Sequence, residues 1–388
     1  MIYCHLGVTG VEIKEKLRIY FELVEDKRNQ SYVTYKMSDV LFMLLCGALC
    51  GLVDAEDIAE FAEEREEFFL SHTEMEELPC LPTLRNILKI INPAQLELCL
   101  NGILRNIFCR EKMPKERQII LDGKTARGTE SVHIVTALLA DYSVSLGQIT
   151  VDEKSNEIPA VRELLDMLDI KGAVVTMDAM HCQKETVAKI IENKADYVVQ
   201  LKKNQGNFYE DVYAMFDDKY MDKADKDSEY ETFRTIEKGH GRIETRTCYV
   251  LNNIEYFTDY LADWKGLKKI FAVKRRVEKG GKISEEISCY LSSKNTSAEN
   301  LLSHTRKHWQ IESFHWILDV NFGEDDSLIR HKNSQICLNV LRKFAVSMLK
   351  KYIENHPLKR KTISGNTRKC LMNQDFMADV LLYYCSDF

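Results

Sequence analysis

Two short apolar runs, each ending on an aspartate, constrain this chain most. Ile119-Ile120-Leu121 leads into Asp122 and then Gly123, and Val174-Val175-Thr176-Met177 leads into Asp178 and then Ala179. Short unbroken apolar runs suit strands covered on both faces, which is the condition of a central strand in an α/β sheet. A carboxylate at the buried end of such a strand is costly unless it is paired or holds a metal. The segments around these runs fall into an order. Val132–Ala140 and Val144–Val151 read as two more strands, joined by a turn near Asp141-Tyr142-Ser143. Pro159–Leu168 is an amphipathic helix with Val161, Leu164, Leu165 and Leu168 on one face. Lys184–Asn193 is a second helix and Tyr197–Leu201 a fifth strand. Three strands in hairpin sequence, then helix, strand, helix, strand, predict an α/β, ribonuclease-H-like core with an aspartate on its first and fourth strands.

The flanks read differently. Residues 1–115 predict an all-helical N-terminal domain, with Met37–Leu49 as a solid apolar block and Pro82 near the start of a short helix. Residues 116–352 are taken as the core domain, interrupted at about 207–294 by a mostly β insertion with a turn at Glu278-Lys279-Gly280-Gly281-Lys282. Residues 353–388 follow as a basic loop, Pro357–Lys369, and a last helix.

Composition excludes several classes. The 12 cysteines are scattered, without a Cys-x-x-Cys pair, which argues against a zinc site and for reduced thiols. No basic start followed by an apolar stretch marks a signal peptide, and the longest apolar run, near Val40–Val53, is too short to span a bilayer. A cytoplasmic location without membrane contact is expected. The net charge of −7 looks wrong for a phosphate-binding protein, but its distribution is uneven. Leu301–Cys370 carries 13 Lys+Arg against 6 Asp+Glu, while Val53–Glu77 holds 11 acidic residues opposed only by Arg65. A local basic surface, not the total, governs binding to a polyanion.

Glu312 is the third candidate carboxylate. Thr305, His308, Glu312, His315 and Asp319 recur at spacings of three or four, so they share one helix face beside the apolar Ile311, Phe314 and Leu318. A solvated face of ordinary charges is an equal reading of that helix alone. Trp309, Trp316 and Phe322 suggest a packed helix, with stacking on a flipped base the alternative for the two tryptophans. Three carboxylates with waters and phosphate oxygens can hold the two hard cations, about 3.5–4 Å apart, that phosphodiester cleavage uses.

Five motifs then carry a resemblance. Leu121-Asp122-Gly123-Lys124-Thr125-Ala126-Arg127-Gly128, Lys154-Ser155-Asn156-Glu157-Ile158, Val175–Gln183, Ala195–Gln205 and His308-Trp309-Gln310-Ile311-Glu312 with His315–Val320 stand in this order. Together they resemble the ISAs-type, H-repeat-associated DDE transposases of bacterial insertion sequences, over nearly the whole chain. The helical start resembles that family's associated N-terminal domain. The sequence departs from the family at Arg85-Asn86 and Arg162, and Thr305 and His308 stand where the wider transposase group has Tyr and Arg.

The resemblance implies metal-dependent cleavage at the element's ends and strand transfer into target DNA. Asp122, Asp178 and Glu312 would be the catalytic and metal-binding residues, with Mg²⁺ as the ion and Mn²⁺ able to substitute. Lys124, Arg127, Lys154, Lys202, Lys203 and Arg306 are candidate phosphate contacts, with solvated charges an equal reading. Asn156 and Glu157 stand near the site or cap the following helix. His181, His308, His315 and Asp319 are candidates to contact DNA or to orient the carboxylates. The partners implied are double-stranded terminal repeats and target DNA, a homodimer or larger assembly on DNA, and association with the nucleoid when bound. Two alternatives remain: a nuclease of the same fold, and a DNA-binding descendant without activity.

Overall fold

The computed structural model describes residues 10–110, 116–127, 131–151, 157–221, 226–239 and 241–385. Its centre is one nine-stranded mixed sheet with the order β3-β2-β1-β4-β5-β9-β8-β7-β6. The strands are β1 (Gln118–Ala126), β2 (Val132–Leu139), β3 (Val144–Val151), β4 (Val174–Met177), β5 (Asp196–Leu201), β6 (Tyr230–Gly239), β7 (Arg242–Leu251), β8 (Lys269–Lys279) and β9 (Lys282–Ser292). β2 runs antiparallel to β1 and β3, whereas β1, β4 and β5 run parallel. The strand, helix and strand order expected over residues 118–201 is the order found.

Burial explains why β1 and β4 sit in the middle. Gln118 through Leu121 and all of Val174–Met177 are buried, as strands covered on both faces must be. One face carries the helix Glu157–Met167, whose Leu164 side chain lies within van der Waals distance of where a Cβ on Gly147 of β3 would stand. The other face carries the helices Ala298–His308, Gln310–Phe322 and Lys332–Asn355.

The region read as a β insertion continues the same sheet. β9 pairs antiparallel with β5, and β6–β9 form an antiparallel meander beyond it. The expected turn between β8 and β9 is tight: Lys279 pairs with Lys282, and Gly280 and Gly281 both have positive φ, 56° and 76°. A two-residue hairpin loop with left-handed backbone at both positions favours glycine. The first stretch of this region is helical, unlike the expectation. Phe208, Val212 and Phe216 recur every fourth residue along the helix Asn207–Phe216 and are all buried.

The N-terminal helices pack onto the chain's other end. Every residue of the helix Met37–Leu49 is buried, and it lies against Lys332–Asn355, which is itself largely buried. The basic stretch Pro357–Lys369 is loop only as far as Thr362. There the Thr362 hydroxyl accepts from Gly365 N at 3.2 Å and starts the helix Ile363–Met372. No helix among the described residues is long and apolar enough to cross a membrane.

One buried side chain ties the middle of the sheet to the helix above it. Gln118 donates from Nε2 to Thr176 Oγ1 at 3.2 Å and to the His304 carbonyl at 2.9 Å, and its Oε1 meets His304 Nδ1 at 2.9 Å. Gln118→Leu keeps the volume but strands the polar groups of Thr176 and His304. It is expected to lower unfolding free energy by about 1–3 kcal/mol in urea titrations. A change below about 0.5 kcal/mol would show that these bonds do not hold the helix.

Candidate functional site

The parallel register between β1 and β4 sets the site. Leu121 pairs with Met177, so the next residues, Asp122 and Asp178, end neighbouring strands side by side. Side chains alternate along a strand, so both carboxylates fall on the face shared by Ile120 and Thr176. That face is covered by the two helices that bring His308 and Glu312. Asp122, Asp178 and Glu312 line one cleft of about 500 Å³.

Two of the three acids stand in unfavourable surroundings. The Asp122 carboxyl is pushed up to about 7, first by burial and then by the charges of Asp178, Glu157 and Glu312. Glu312 is raised by burial and by Asp178. Lys202 is the cation beside them, its Nζ 3.6 Å from Asp178 Oδ1 and half exposed. Ala179 N donates to Asp178 Oδ1 at 2.6 Å and fixes that side chain. Among the described residues no three His, Cys, Asp or Glu side chains close into a ready-made metal cage.

The histidines pack beside the carboxylates and are not cations. His308 Nδ1 meets Thr176 Oγ1 at 3.1 Å, two residues before Asp178, and burial lowers it to about 4. His315 Nδ1 lies 3.7 Å from Asp122 Oδ2, and burial together with Lys343 and Lys124 lowers it to about 3. Both imidazoles are therefore neutral near pH 7. The stripe from Thr305 to Asp319 is not one helix, because the helix is interrupted at Trp309, which ends Ala298–His308 and starts Gln310–Phe322. Trp309 and Trp316 are 58% and 59% exposed, so they are not packing residues; Phe322 is buried.

Lys124 takes a different place from a phosphate contact. Its Nζ donates to both Asp319 and Glu324. Glu324 is only 2% exposed and also accepts from Asn339. The clamp joins β1, two residues past Asp122, to the helix of Glu312. Arg127 extends it through its backbone, N to Asp325 Oδ1 at 2.9 Å. Lys307 is held by Asp141 at 2.7 Å, away from the cleft. Arg306 lines the cleft and pairs with Glu237, and Lys203 lies exposed in the adjoining groove. Lys154 and Asn156 lie outside the described residues.

The opposite face of β1 holds a polar cluster. Glu157 is 2.5 Å from His133 Nε2 and 3.3 Å from the buried His181 Nε2. His133 in turn meets Thr125 Oγ1 at 2.8 Å. Glu157 explains Gly123: a Cβ there would collide with the Glu157 carboxylate. Sequence reasoning misses His133, and it misses Arg246 and Arg275, which line the carboxylate cleft from β7 and β8. Strand alternation places both on one face, but nothing local joins β7 and β8 to a cleft lined by residues far along the chain.

Gly123→Ala is expected to cost about 1–3 kcal/mol as Glu157 is forced away, while Gly239→Ala, with open space around it, should change stability by less than about 0.5 kcal/mol. Equal effects at the two sites in urea titrations would contradict this packing. Asp122 also predicts a pH dependence with divalent metal chelated. Its folded value, about 7, lies above the ordinary 3.8, so the fold favours the protonated carboxyl. That stability is full below about pH 4 and is lost as pH rises through 7. Asp122→Asn should therefore gain on wild type by about 2 kcal/mol more at pH 8.5 than at pH 5.5. The same difference at both pH values would remove Asp122 as its source.

Comparison with known proteins gives the family. Residues 113–349 match the family described as "Transposase DDE domain", and residues 19–103 match the "DDE_Tnp_1-associated" family. The chain is 33% identical to the "H repeat-associated putative transposase YhhI" of Escherichia coli K12, over 96% of this chain and 98% of that one. It is 34% identical to the "Putative transposase YncI" of Escherichia coli O157:H7, over 87% of each. Among solved structures, a piggyBac transposase synaptic complex with hairpin DNA aligns with 97% of this chain and 79% of its own, at 10% identity and a TM-score of 0.40, too low to decide anything. The chain belongs to the DDE transposases, in the H-repeat-associated group.

Proposed function

We propose that this protein is an active DNA transposase that cuts DNA at the ends of an insertion sequence and joins the freed 3′ end to a target. The observation that carries the reading is the in-register pair Asp122 and Asp178, with Glu312 facing the same cleft. The strand order, with β2 antiparallel beside parallel β1, β4 and β5, supports a ribonuclease-H-like core over about 116–352, extended by the strands of 207–294. Residues 1–115 are then the associated helical domain, and 353–388 the C-terminal extension.

The donor set fits Mg²⁺, or Mn²⁺ in its place. All three groups are hard oxygen donors, and the raised Asp122 and Glu312 are carboxylates short of positive charge. The open arrangement suits an ion that keeps waters and takes phosphate oxygens. When bound, a pair of such ions supplies Lewis acidity at the attacking and leaving oxygens. The chain's own residues supply position. The sheet fixes Asp122 and Asp178, the Lys124 clamp sets the Glu312 helix against β1, and neutral His315 and His308 pack beside the aspartates without competing as cations. Lys202 and Arg306 offer positive charge at the cleft wall for flanking phosphates. The cleft adjoins a second groove past Asp178 and Lys202, which gives a strand room on either side of the carboxylates. DNA ends, target DNA, a dimeric or larger assembly on DNA and a cytoplasmic, nucleoid-associated location follow from this reading.

The test is cleavage and strand transfer on DNA bearing the flanking terminal repeats, in Mg²⁺, with Glu312→Gln in parallel. Wild type is expected to cut and join. Glu312→Gln is expected to bind the same DNA and to lose both steps by at least about 10³-fold. Cutting without joining would favour a nuclease. Binding without cutting by either protein, in Mg²⁺ and in Mn²⁺, would leave a DNA-binding descendant.

A further inference from the structure

The wall of the cleft opposite the Glu312 helix carries a cluster of arginines. Arg246 on β7 and Arg275 on β8 are direct cross-strand partners, so their side chains share one face. Like charges directly opposite one another destabilise a sheet. The pair is held by one carboxylate. Glu244, two residues before Arg246 and on the same face, is almost fully buried. Its Oε1 accepts from Arg246 Nη2 at 2.6 Å and from Arg275 Nε, and its Oε2 lies 3.3 Å from Arg242 Nη2. Burial opposes ionisation of Glu244, but the Arg275 hydrogen bond and the charges of Arg246, Arg275 and Arg242 outweigh it and hold the carboxyl below its ordinary value. Three guanidinium groups gather on one buried carboxylate. Glu237 draws on Arg246 at 3.2 Å and on Arg306, and Glu286 faces Arg275 across the ladder.

Here two arginines reach the cleft that Asp122, Asp178 and Glu312 line, and Arg275 keeps 42% of its side chain exposed. Arg275 meets Glu244 through Nε and so can turn its terminal N–H groups to a second oxyanion, while Arg246, held through Nη2 by Glu244 and Nη1 by Glu237, keeps further N–H groups beside it, a geometry suited to phosphate.

We propose that Arg246 and Arg275, oriented by Glu244, form a phosphate clamp that grips the DNA strand beside the phosphodiester to be cut. The clamp rests on the transposase reading. The two arginines are binding residues, and Glu244 is a positioning residue that acts through them.

Fluorescence polarisation on a duplex carrying one terminal repeat tests this, with Ca²⁺ replacing the catalytic ion and the salt concentration varied. Removing one arginine–phosphate pairing should reduce the slope of log Kd against log salt by about 0.9. Arg246→Ala and Arg275→Ala should each show about that change, and the double variant about twice it. A second series places a neutral methylphosphonate at single positions next to the cleavage point. It should weaken wild type by roughly tenfold at the clamped phosphates and leave the double alanine variant indifferent. Arg246→Lys with Arg275→Lys keeps charge and fold, and should keep most of the slope but lose the positional discrimination. Glu244→Gln removes a negative charge yet should also lose that discrimination, which a purely electrostatic effect would not do. Wild-type binding to the terminal repeat with unchanged slope and discrimination in the double alanine variant overturns the clamp alone. Failure of wild type to prefer the terminal repeat over random DNA overturns the transposase reading and the clamp with it.

Discussion

The parallel pairing of β1 with β4 is the constraint on which the site depends. It places two carboxylates at adjacent strand ends, on one face, partly out of water. The arrangement is unfavourable in itself. Two like charges at strand spacing repel, and burial adds to the cost at Asp122. The sheet tolerates it because the four residues before each aspartate are buried, so the register cannot slip without exposing the core. A slip of either strand by one residue would turn its acid to the opposite face, away from the other. The energy that fixes the site is therefore apolar burial in the sheet, set against the electrostatics of the carboxylates.

Around that pair the cations are used for assembly. Lys124 is two residues from Asp122, on the same face, yet it turns to Asp319 and the buried Glu324. Lys343 and Arg342 lie buried in the helix behind. Lys343 donates to Thr136, the β2 partner of Asp122, at 2.7 Å, and Arg342 donates to the Val53 carbonyl. These bonds run from β1 and β2 through Lys332–Asn355 to the N-terminal helices. The helical start is thus fastened to the strand that bears Asp122, and not merely joined to it by the chain.

Much of this is legible in the sequence because it is local. The apolar runs before Asp122 and Asp178, the order of elements to Leu201, and the hairpin glycines at 280 and 281 each follow from neighbouring residues. What is not legible depends on distance. The Lys124 clamp needs residues about 200 positions apart, so a lysine after an aspartate reads as a phosphate contact. The helical stretch Asn207–Phe216 merges into a β region on a coarse reading, although Phe208, Val212 and Phe216 carry its period. Trp309 and Trp316 read as packing residues because indoles usually are, and only the tertiary arrangement shows their faces to solvent. Arg246 and Arg275 look like ordinary strand charges until the ladder sets them opposite each other.

These two sets of charges divide the cleft. On the helix side, buried or clamped cations leave the carboxylates without a close neutralising partner among the described residues apart from the half-exposed Lys202. On the strand side, Arg242, Arg246 and Arg275 gather on the buried Glu244, with Glu237 and Glu286 beside them, and Arg306 reaches Glu237 from the helix. A negative site beside a wall of clustered guanidinium groups suits a polyanion that arrives with divalent cations. The phosphate chain would satisfy the wall while its cations satisfy the acids. On the proposed reading, substrate and metal each lower the cost of the other, so affinity for DNA and affinity for metal at this cleft are thermodynamically coupled.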